Sequence, residues 1–257
     1  MLTMKPEELA RLLIDVQVTA LPVPEQYRQE FTLEEAYAVQ QCIRAEKEKA
    51  GVRVVGKKIG FTSQAMRKKF NIDISDYGNL FHDQCFPQGA PIPANRFVKP
   101  HVEGEIAFVL KSDLRGPGVT AAEVSAATKG VMACLEFVDF RWDFASNFHE
   151  SVADNAACGG FLLGSKLVPV DKLDLRYIAM FMQKNGALIS SGAGVEVMGD
   201  PLNAVAWLAN KLHAHGDYLR AGDIVLSGAI TAAVPVAAGD SMNICFSELG
   251  NIEVRFV

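Results

Sequence analysis

Two acidic residues one position apart, Glu103 and Glu105, sit in the β-forming stretch His101-Val102-Glu103-Gly104-Glu105-Ile106-Ala107-Phe108-Val109-Leu110. Side chains alternate faces along a strand, so both carboxylates leave the same side. Gly104 between them adds no bulk and admits close approach of a ligand or another backbone. Neighbouring carboxylates repel and require a cation, a shared proton or open water. A third acid, Glu136, interrupts the apolar run from Val131 to Val138, where an uncompensated charge is costly. Three carboxylates converging from two strands make a hard-oxygen site suited to magnesium or manganese. A competing reading stays open: His101 shares the strand face, so His101, Glu103 and Glu105 would form a transition-metal site, with His149 and Glu150 as further partners. Cys158 with His149 would be a thiol nucleophile, but no motif supports it.

The elements that must position these acids can be read from pattern. Residues 1–51 are expected to be helical. Thr32 and Glu35 have capping-box spacing, Leu33, Ala36, Val39 and Ile43 recur at helical intervals, and Gly51 suits the helix end. Residues 52–257 then form the larger part. Val52 to Thr62 reads as a strand ending in a glycine-punctuated turn. Lys57 and Lys58 are adjacent in it and so face opposite sides, one expected in solvent and the other able to point inward. Asp76 to Phe81 reads as a turn with aromatic content. Thr120 and Glu123 open a second helix, expected to run to about Lys129 and to end at Gly130. Trp142 to Glu150 reads as a loop or lid. Asn185-Gly186 between two β-forming segments signals a hairpin. Asp200-Pro201 starts a helix, with Trp207 expected in its core face. The rest is β. Without βαβ alternation, a G-x-G-x-x-G or a P-loop, the chain reads as α+β with a mixed, barrel-like sheet.

Composition narrows the function class. The 257 residues are 49% hydrophobic and 21% charged, enough for a sizeable core. A formal charge of −5 disfavours nucleic acid as a partner. No apolar run reaches membrane-spanning length, and the N-terminal segment has acids where a signal peptide has bases, so a cytoplasmic protein is expected. Five scattered cysteines with no C-x-x-C pair indicate reduced thiols rather than zinc or disulfides.

Taken in order, Val55 to Ser63, Asp76-Tyr77-Gly78, the Glu103/Glu105 pair, Leu135-Glu136, Val152 to Ala156, Gly199-Asp200-Pro201 with Trp207-Leu208-Ala209, and Gly222 to Gly228 resemble the hydratase/decarboxylase branch of the fumarylacetoacetate hydrolase superfamily. The resemblance spans residues 30–257. It implies a mixed β-roll with an N-terminal helical part, in homo-oligomers. It also implies Mg2+ or Mn2+ on Glu103, Glu105 and Glu136, with Lys58 at the site. The implied activity is hydration of a 2-hydroxy-2,4-dienoate in meta-cleavage breakdown of aromatic compounds. The small 2-oxo or 2-hydroxy acid offers its carboxylate and keto oxygen to one metal, which stabilises the enolate. Decarboxylation of 4-oxalocrotonate uses the same electron sink. Within that frame Lys58 is the proton-transfer candidate and Asp154 a general-base candidate. Thr62, Asp76 and Ser227 are expected to bind substrate. Asn203-Ala204 and Cys158-Gly159 look more like the hydratases, and Ile230 to Val234 more like the decarboxylases. A C–C hydrolase is less favoured, because no His-Glu pair precedes the Glu103 strand. A non-catalytic subunit in complex with another meta-cleavage enzyme is disfavoured by the intact acid trio. The family often has Gly-His-Pro where this chain has Gly199-Asp200-Pro201. Asp caps a helix equally well, so the departure bears only on contacts that the histidine would make.

Overall fold

The computed structural model describes residues 4–30, 32–142 and 147–257, with the backbone alone at residues 69 and 70. In chain order the elements are α1 (Pro6–Thr19), α2 (Leu33–Lys49), β1 (Val54–Gly60), α3 (Gln64–Phe70), β2 (Asp76–Phe81), β3 (Pro100–Leu110), α4 (Ala121–Ala127), β4 (Thr128–Asp139), α5 (Phe148–Ala153) and β5 (Cys158–Leu163). They continue with β6 (Ala179–Lys184), β7 (Ala187–Ala193), α6 (Pro201–His213), β8 (Ile224–Ala229), β9 (Val234–Pro235), β10 (Ser241–Phe246) and β11 (Gly250–Arg255). Among the described residues no helix is long and apolar enough to cross a membrane.

The strands form two sheets. The larger has the order β2-β1-β8-β3-β4-β5, with β9 added beside β3, and the smaller has the order β11-β10-β6-β7. β1 runs parallel to β8 and the other pairs are antiparallel, so the larger sheet is mixed. It also curls. Cys85, just past β2, bridges Phe161 of β5, and the Phe86 N–H donates to the Phe161 carbonyl at 2.8 Å. The inner face gathers Leu80, Ala107, Cys134, Cys158, Phe161 and Leu226 into one cluster, so side chains from both edge strands meet. The barrel-like expectation therefore holds as a half-closed roll.

The outer face of β3 and β4 packs on the smaller sheet. Val102, Ile106, Phe108, Val131, Ala133, Leu135 and Phe137 share a core with Met180, Met182, Met242 and Ile244. Burial on both faces explains why these strands read as near-continuous apolar runs. Gly104 serves this contact: a Cβ there would lie 3.2 Å from Met180 Cε and 3.3 Å from Ile244 Cγ2. Its small size thus admits the second sheet, on the face away from the acids.

The helices obey their local signals. The Thr32 hydroxyl accepts from the Glu35 N–H at 3.2 Å, and the Glu35 carboxylate accepts from the Thr32 N–H at 2.9 Å. Asp200 Oδ1 accepts from the Leu202 N–H at 2.9 Å and caps α6. Asn185 and Gly186 are both left-handed, at φ 52° and 79°, as a tight hairpin requires. Leu9, Leu13, Val39 and Ile43 of α1 and α2 belong to the same core as the sheets.

Three expectations are corrected. Asp76–Phe81 is a strand, buried at every position, rather than a turn; pairing with β1 supplies its backbone partners, and burial overrides its poor β propensity. The helix opened by Thr120 ends at Ala127, and Gly130 lies inside β4. Thr128 already pairs with Leu110, and a Cβ on Gly130 would press on the Val168 carbonyl oxygen at 2.8 Å. Lys57 is buried, not solvated, because the face of β1 opposite Lys58 is covered as well. Trp207 packs against the core as expected, half-buried at the rim of a cavity. Of the expected loop or lid, residues 143–146 lie outside the described residues, and α5 takes up its end.

Candidate active site

Strand register builds the acid trio. Glu103 lies directly opposite Glu136, and Glu105 opposite Cys134, so Glu105 is the diagonal neighbour of Glu136 on one face. The three carboxylates place oxygens within 4.8 Å of one another. Glu105 and Glu136 are fully buried, while Glu103 is partly exposed. Glu105 Oε2 accepts from the Gly228 N–H at 2.7 Å. Glu105 Oε1 and Glu136 Oε2 have no hydrogen-bond partner among the described residues. Burial, then repulsion from Glu136, pushes Glu103 up to about 8. The same causes, with Glu103 added, drive Glu105 well above its ordinary value. Buried acids that repel one another and present unpartnered oxygens fit a hard divalent cation. No second cluster of His, Cys, Asp or Glu with this geometry occurs among the described residues.

The competing ligands lie elsewhere. His101 Nδ1 sits 3.1 Å from the Lys99 carbonyl, and its ring meets Phe140 edge-on at 4.7 Å. Glu150 closes a capping box with Asn147 at the start of α5, where His149 also lies. The Cys158 thiol is buried, and burial followed by Glu136 pushes it up to about 12, which disables it as a nucleophile.

Lys58 faces the trio. It pairs with Gly78 across β1 and β2. Its Nζ lies 3.0 Å from Glu136 Oε1 and donates to the Ala156 carbonyl at 3.0 Å. Against the cost of burial, Glu136 and then Asp76 and Glu103 hold the ammonium in its charged form. Asp76 is on the same inner face, paired with Gly60, and burial lifts its carboxyl to about 6 against the pull of Lys58. The Ala156 carbonyl comes from an unusual turn. Asn155, Ala156 and Ala157 are all left-handed, at φ 55°, 53° and 55°, a conformation that asparagine tolerates and that costs each alanine about 1–2 kcal/mol. A Cβ on Gly78 would collide with the Asn155 carbonyl oxygen, so glycine there is what lets the turn reach Lys58.

The remaining expected residues fall as follows. Thr62 and Ser227 are buried near the C-terminal ends of the parallel neighbours β1 and β8. Gly228, left-handed at φ 113°, touches Thr62 so closely that any Cβ would clash with its hydroxyl. The Ser227 hydroxyl has no hydrogen-bond partner among the described residues. Asp154 is set on Arg141 rather than among the acids: Arg141 Nε donates to Asp154 Oδ2 at 2.7 Å. Burial lifts this carboxyl to about 6, with Arg141 pulling against it.

Residues 38–257 match the family model for the fumarylacetoacetate (FAA) hydrolase C-terminal region. The chain belongs to the fumarylacetoacetate hydrolase family. Within the family it is 42% identical to the 2-hydroxyhexa-2,4-dienoate hydratase of Comamonas testosteroni, over 88% of this chain and 87% of that one. It is 40% identical to the 2-oxo-hept-4-ene-1,7-dioate hydratase of Escherichia coli, over 89% and 88%. In three dimensions it matches the 4-oxalocrotonate decarboxylase of Pseudomonas putida G7, complexed with magnesium and adipate, with a TM-score of 0.94 and 34% identity, over 98% of this chain and 97% of that one.

Several polar groups behind the acids and Lys58 were not singled out from sequence. Arg141, Asn155 and Gln40 are fully or nearly fully buried and bind backbone carbonyls or amides. Arg141 stands two residues past Asp139, the end of a core strand, and a charge so placed is the one signal that pointed to it. Lys57 lies in a second buried network, with Nζ 2.7 Å from Asn79 Oδ1 and 3.3 Å from Asp217 Oδ2.

Proposed function

We propose that the protein is a metal-dependent lyase that hydrates a 2-hydroxy-2,4-dienoate, as its 2-oxo tautomer, to a 4-hydroxy-2-oxo acid in aromatic breakdown. The observation that carries this reading is the buried trio Glu103, Glu105 and Glu136 with the Lys58 ammonium 3.0 Å from Glu136. Curated relatives named as hydratases, at 40–42% identity over most of the chain, support it. The trio would hold magnesium, and manganese suits the same donors. Bound there, the cation supplies a Lewis acid for the carboxylate and 2-oxo group.

The chain's own residues supply the rest. Hydration moves a proton from the 2-hydroxyl to the fifth carbon, then adds water at the fourth carbon and a proton at the third. Lys58, held charged, donates a proton or stabilises developing negative charge. Asp76, poised at about 6 beside it, exchanges a proton near neutral pH. Thr62 and Ser227 are donors for the substrate carboxylate. Homo-oligomers belong to the same reading: the edge strand β7 exposes Leu188 and Ile189, and such edges are commonly covered.

A second reading, 4-oxalocrotonate decarboxylase, is favoured by the near-complete structural match to that enzyme. The two share the metal site and part only at the far end of the pocket, where a dioate needs a donor-rich wall. A paired assay separates them, with 2-hydroxypenta-2,4-dienoate and 4-oxalocrotonate offered separately, each with magnesium and with chelator. Magnesium-dependent loss of the dienoate without carbon dioxide release is expected. Carbon dioxide from oxalocrotonate, with the dienoate accumulating, would establish the decarboxylase instead.

A further inference from the structure

We propose that Arg141 and Asp154 are positioning residues for Lys58, acting through the left-handed turn at 155–157. They govern the proton step rather than the hold on metal. This inference rests on the reading of Lys58 as the proton-carrying residue.

One guanidinium brackets the turn. Arg141 donates to the carbonyls of Asp154 at 3.3 Å and of Cys158 at 3.2 Å, the residues immediately before and after the three left-handed positions. Its Nε is anchored on Asp154 Oδ2 at 2.7 Å. A further nitrogen lies 3.4 Å from Asp139 Oδ2. Asp139 in turn accepts from the Val98 and Lys99 N–H groups at 3.2 and 2.7 Å, which ties the guanidinium to the chain entering β3, the strand of Glu103 and Glu105. All these partners stand outside the acid trio.

The other side of the turn is fixed just as firmly. Asn155 Oδ1 accepts from the Asn79 N–H at 2.7 Å, and Asn155 Nδ2 donates to the Asn79 carbonyl at 2.9 Å. Asn79 adjoins Gly78, the residue paired with Lys58. Held between these anchors, the Ala156 carbonyl meets Lys58 Nζ at 3.0 Å. Glu136 Oε1 lies at the same distance, so two of the ammonium's three protons have partners among the described residues and one is left for the substrate. Without that carbonyl the ammonium would settle wholly on the carboxylates.

A double-variant cycle in the full chain tests the proposal. Arg141→Lys is made alone and together with Lys58→Ala, and kcat, KM and Mn2+ affinity are measured with 2-hydroxypenta-2,4-dienoate and with 4-oxalocrotonate. Arg141→Lys is expected to lower kcat about 100-fold, the effect of misplacing a reacting group by ~1 Å. KM and Mn2+ affinity should stay within about threefold of the parent. In the Lys58→Ala background the same change should lower kcat by less than about threefold, because the group it positions is gone. Fully additive losses, or a matching loss of Mn2+ affinity, would overturn the proposal. An unimpaired Lys58→Ala enzyme on both substrates would instead overturn the role of Lys58, so the two failures are distinct. If Lys58→Ala has no measurable turnover, Lys58→Gln, which removes the ammonium but keeps a polar side chain, replaces it in the cycle. If Arg141→Lys does not fold, Asp154→Asn, which preserves volume, carries the cycle with an expected loss of about 10-fold.

Discussion

Glu136 lies opposite Glu103 and beside the Lys58 ammonium, so its charge serves both the proposed metal and the lysine. Glu136→Gln keeps the volume and removes that charge. Metal affinity is expected to fall by more than the ~10–100-fold typical of changing a residue behind a ligand, read by calorimetry with Mn2+. The acids also set a pH dependence. Burial and then Glu136 push the Glu103 carboxyl of the folded chain up to about 8 from its ordinary 4.5. The folded chain therefore keeps a proton that the unfolded chain releases. Stability is fullest below 4.5 and is lost as pH rises towards 8. Thermal unfolding in chelator should show a lower midpoint at pH 8 than at pH 5, and magnesium should restore it at pH 8 by binding the ionised trio. A flat profile in chelator would sink this account. The trio was legible in the sequence because a charge inside an apolar run demands compensation. The roles of Arg141 and Lys57 were not: alternation along a strand says which face a residue takes, but not whether another layer covers that face.

At the scale of the element, the left-handed turn depends on β2. Gly78→Ala would drive a Cβ into the Asn155 carbonyl oxygen, while Lys58 and the acids keep their own sequence. The expected result is a fall in kcat of about 100-fold, with Mn2+ affinity near that of the parent. Gly228→Ala should instead weaken both. Its Cβ meets the Thr62 hydroxyl, and its amide is the donor to Glu105, so metal affinity should drop along with turnover. Comparing Mn2+ titrations of the two variants checks both. Helix starts, the 185–186 hairpin and the strands carrying the glutamates could be read in advance because each rests on a local signal. β2 could not. Asp76, Gly78 and Asn79 are poor strand formers, and they adopt a strand because Gly60, Lys58 and Lys57 stand opposite to pair with them.

For the whole molecule, the second buried network joins distant parts of the chain. Asp217, beyond α6, takes Arg44 of α2 at 2.9 Å and Lys57 of β1 at 3.3 Å. Against the upward push of burial, Lys57 and Arg44 hold the Asp217 carboxyl below its ordinary 3.8. Its stabilisation is present above that value and is lost as pH falls through the depressed one. Burial lowers Lys57 to about 8 against the pull of Asp217. Asp217→Asn leaves that lysine buried without its counter-charge and is expected to destabilise by about 3 kcal/mol in urea unfolding at pH 7. A change below about 1 kcal/mol would mean that the Asn79 amide oxygen alone suffices for Lys57. The mixed, curled sheet followed from the absence of alternating βα units. Its strand order did not, because pairing across such distances leaves no local trace.

That strand order carries a consequence for biosynthesis. β8 lies in the middle of the larger sheet, between β1 and β3, and its Ile224 pairs with Gly56, 168 positions earlier. While a chain is being translated, β1 with β2 and β3 with β4 can each form hairpin-like pieces, since their partners emerge within a few seconds of each other. Along the sheet their inner edges stay unjoined until β8 leaves the ribosome and slots between them, although β5, with the turn before it, can link the outer edge sooner through Phe161 and Asn155. Lys58 and Glu136 thus sit on strands whose shared central neighbour arrives late in the chain's synthesis, and the sheet that frames them is complete only then.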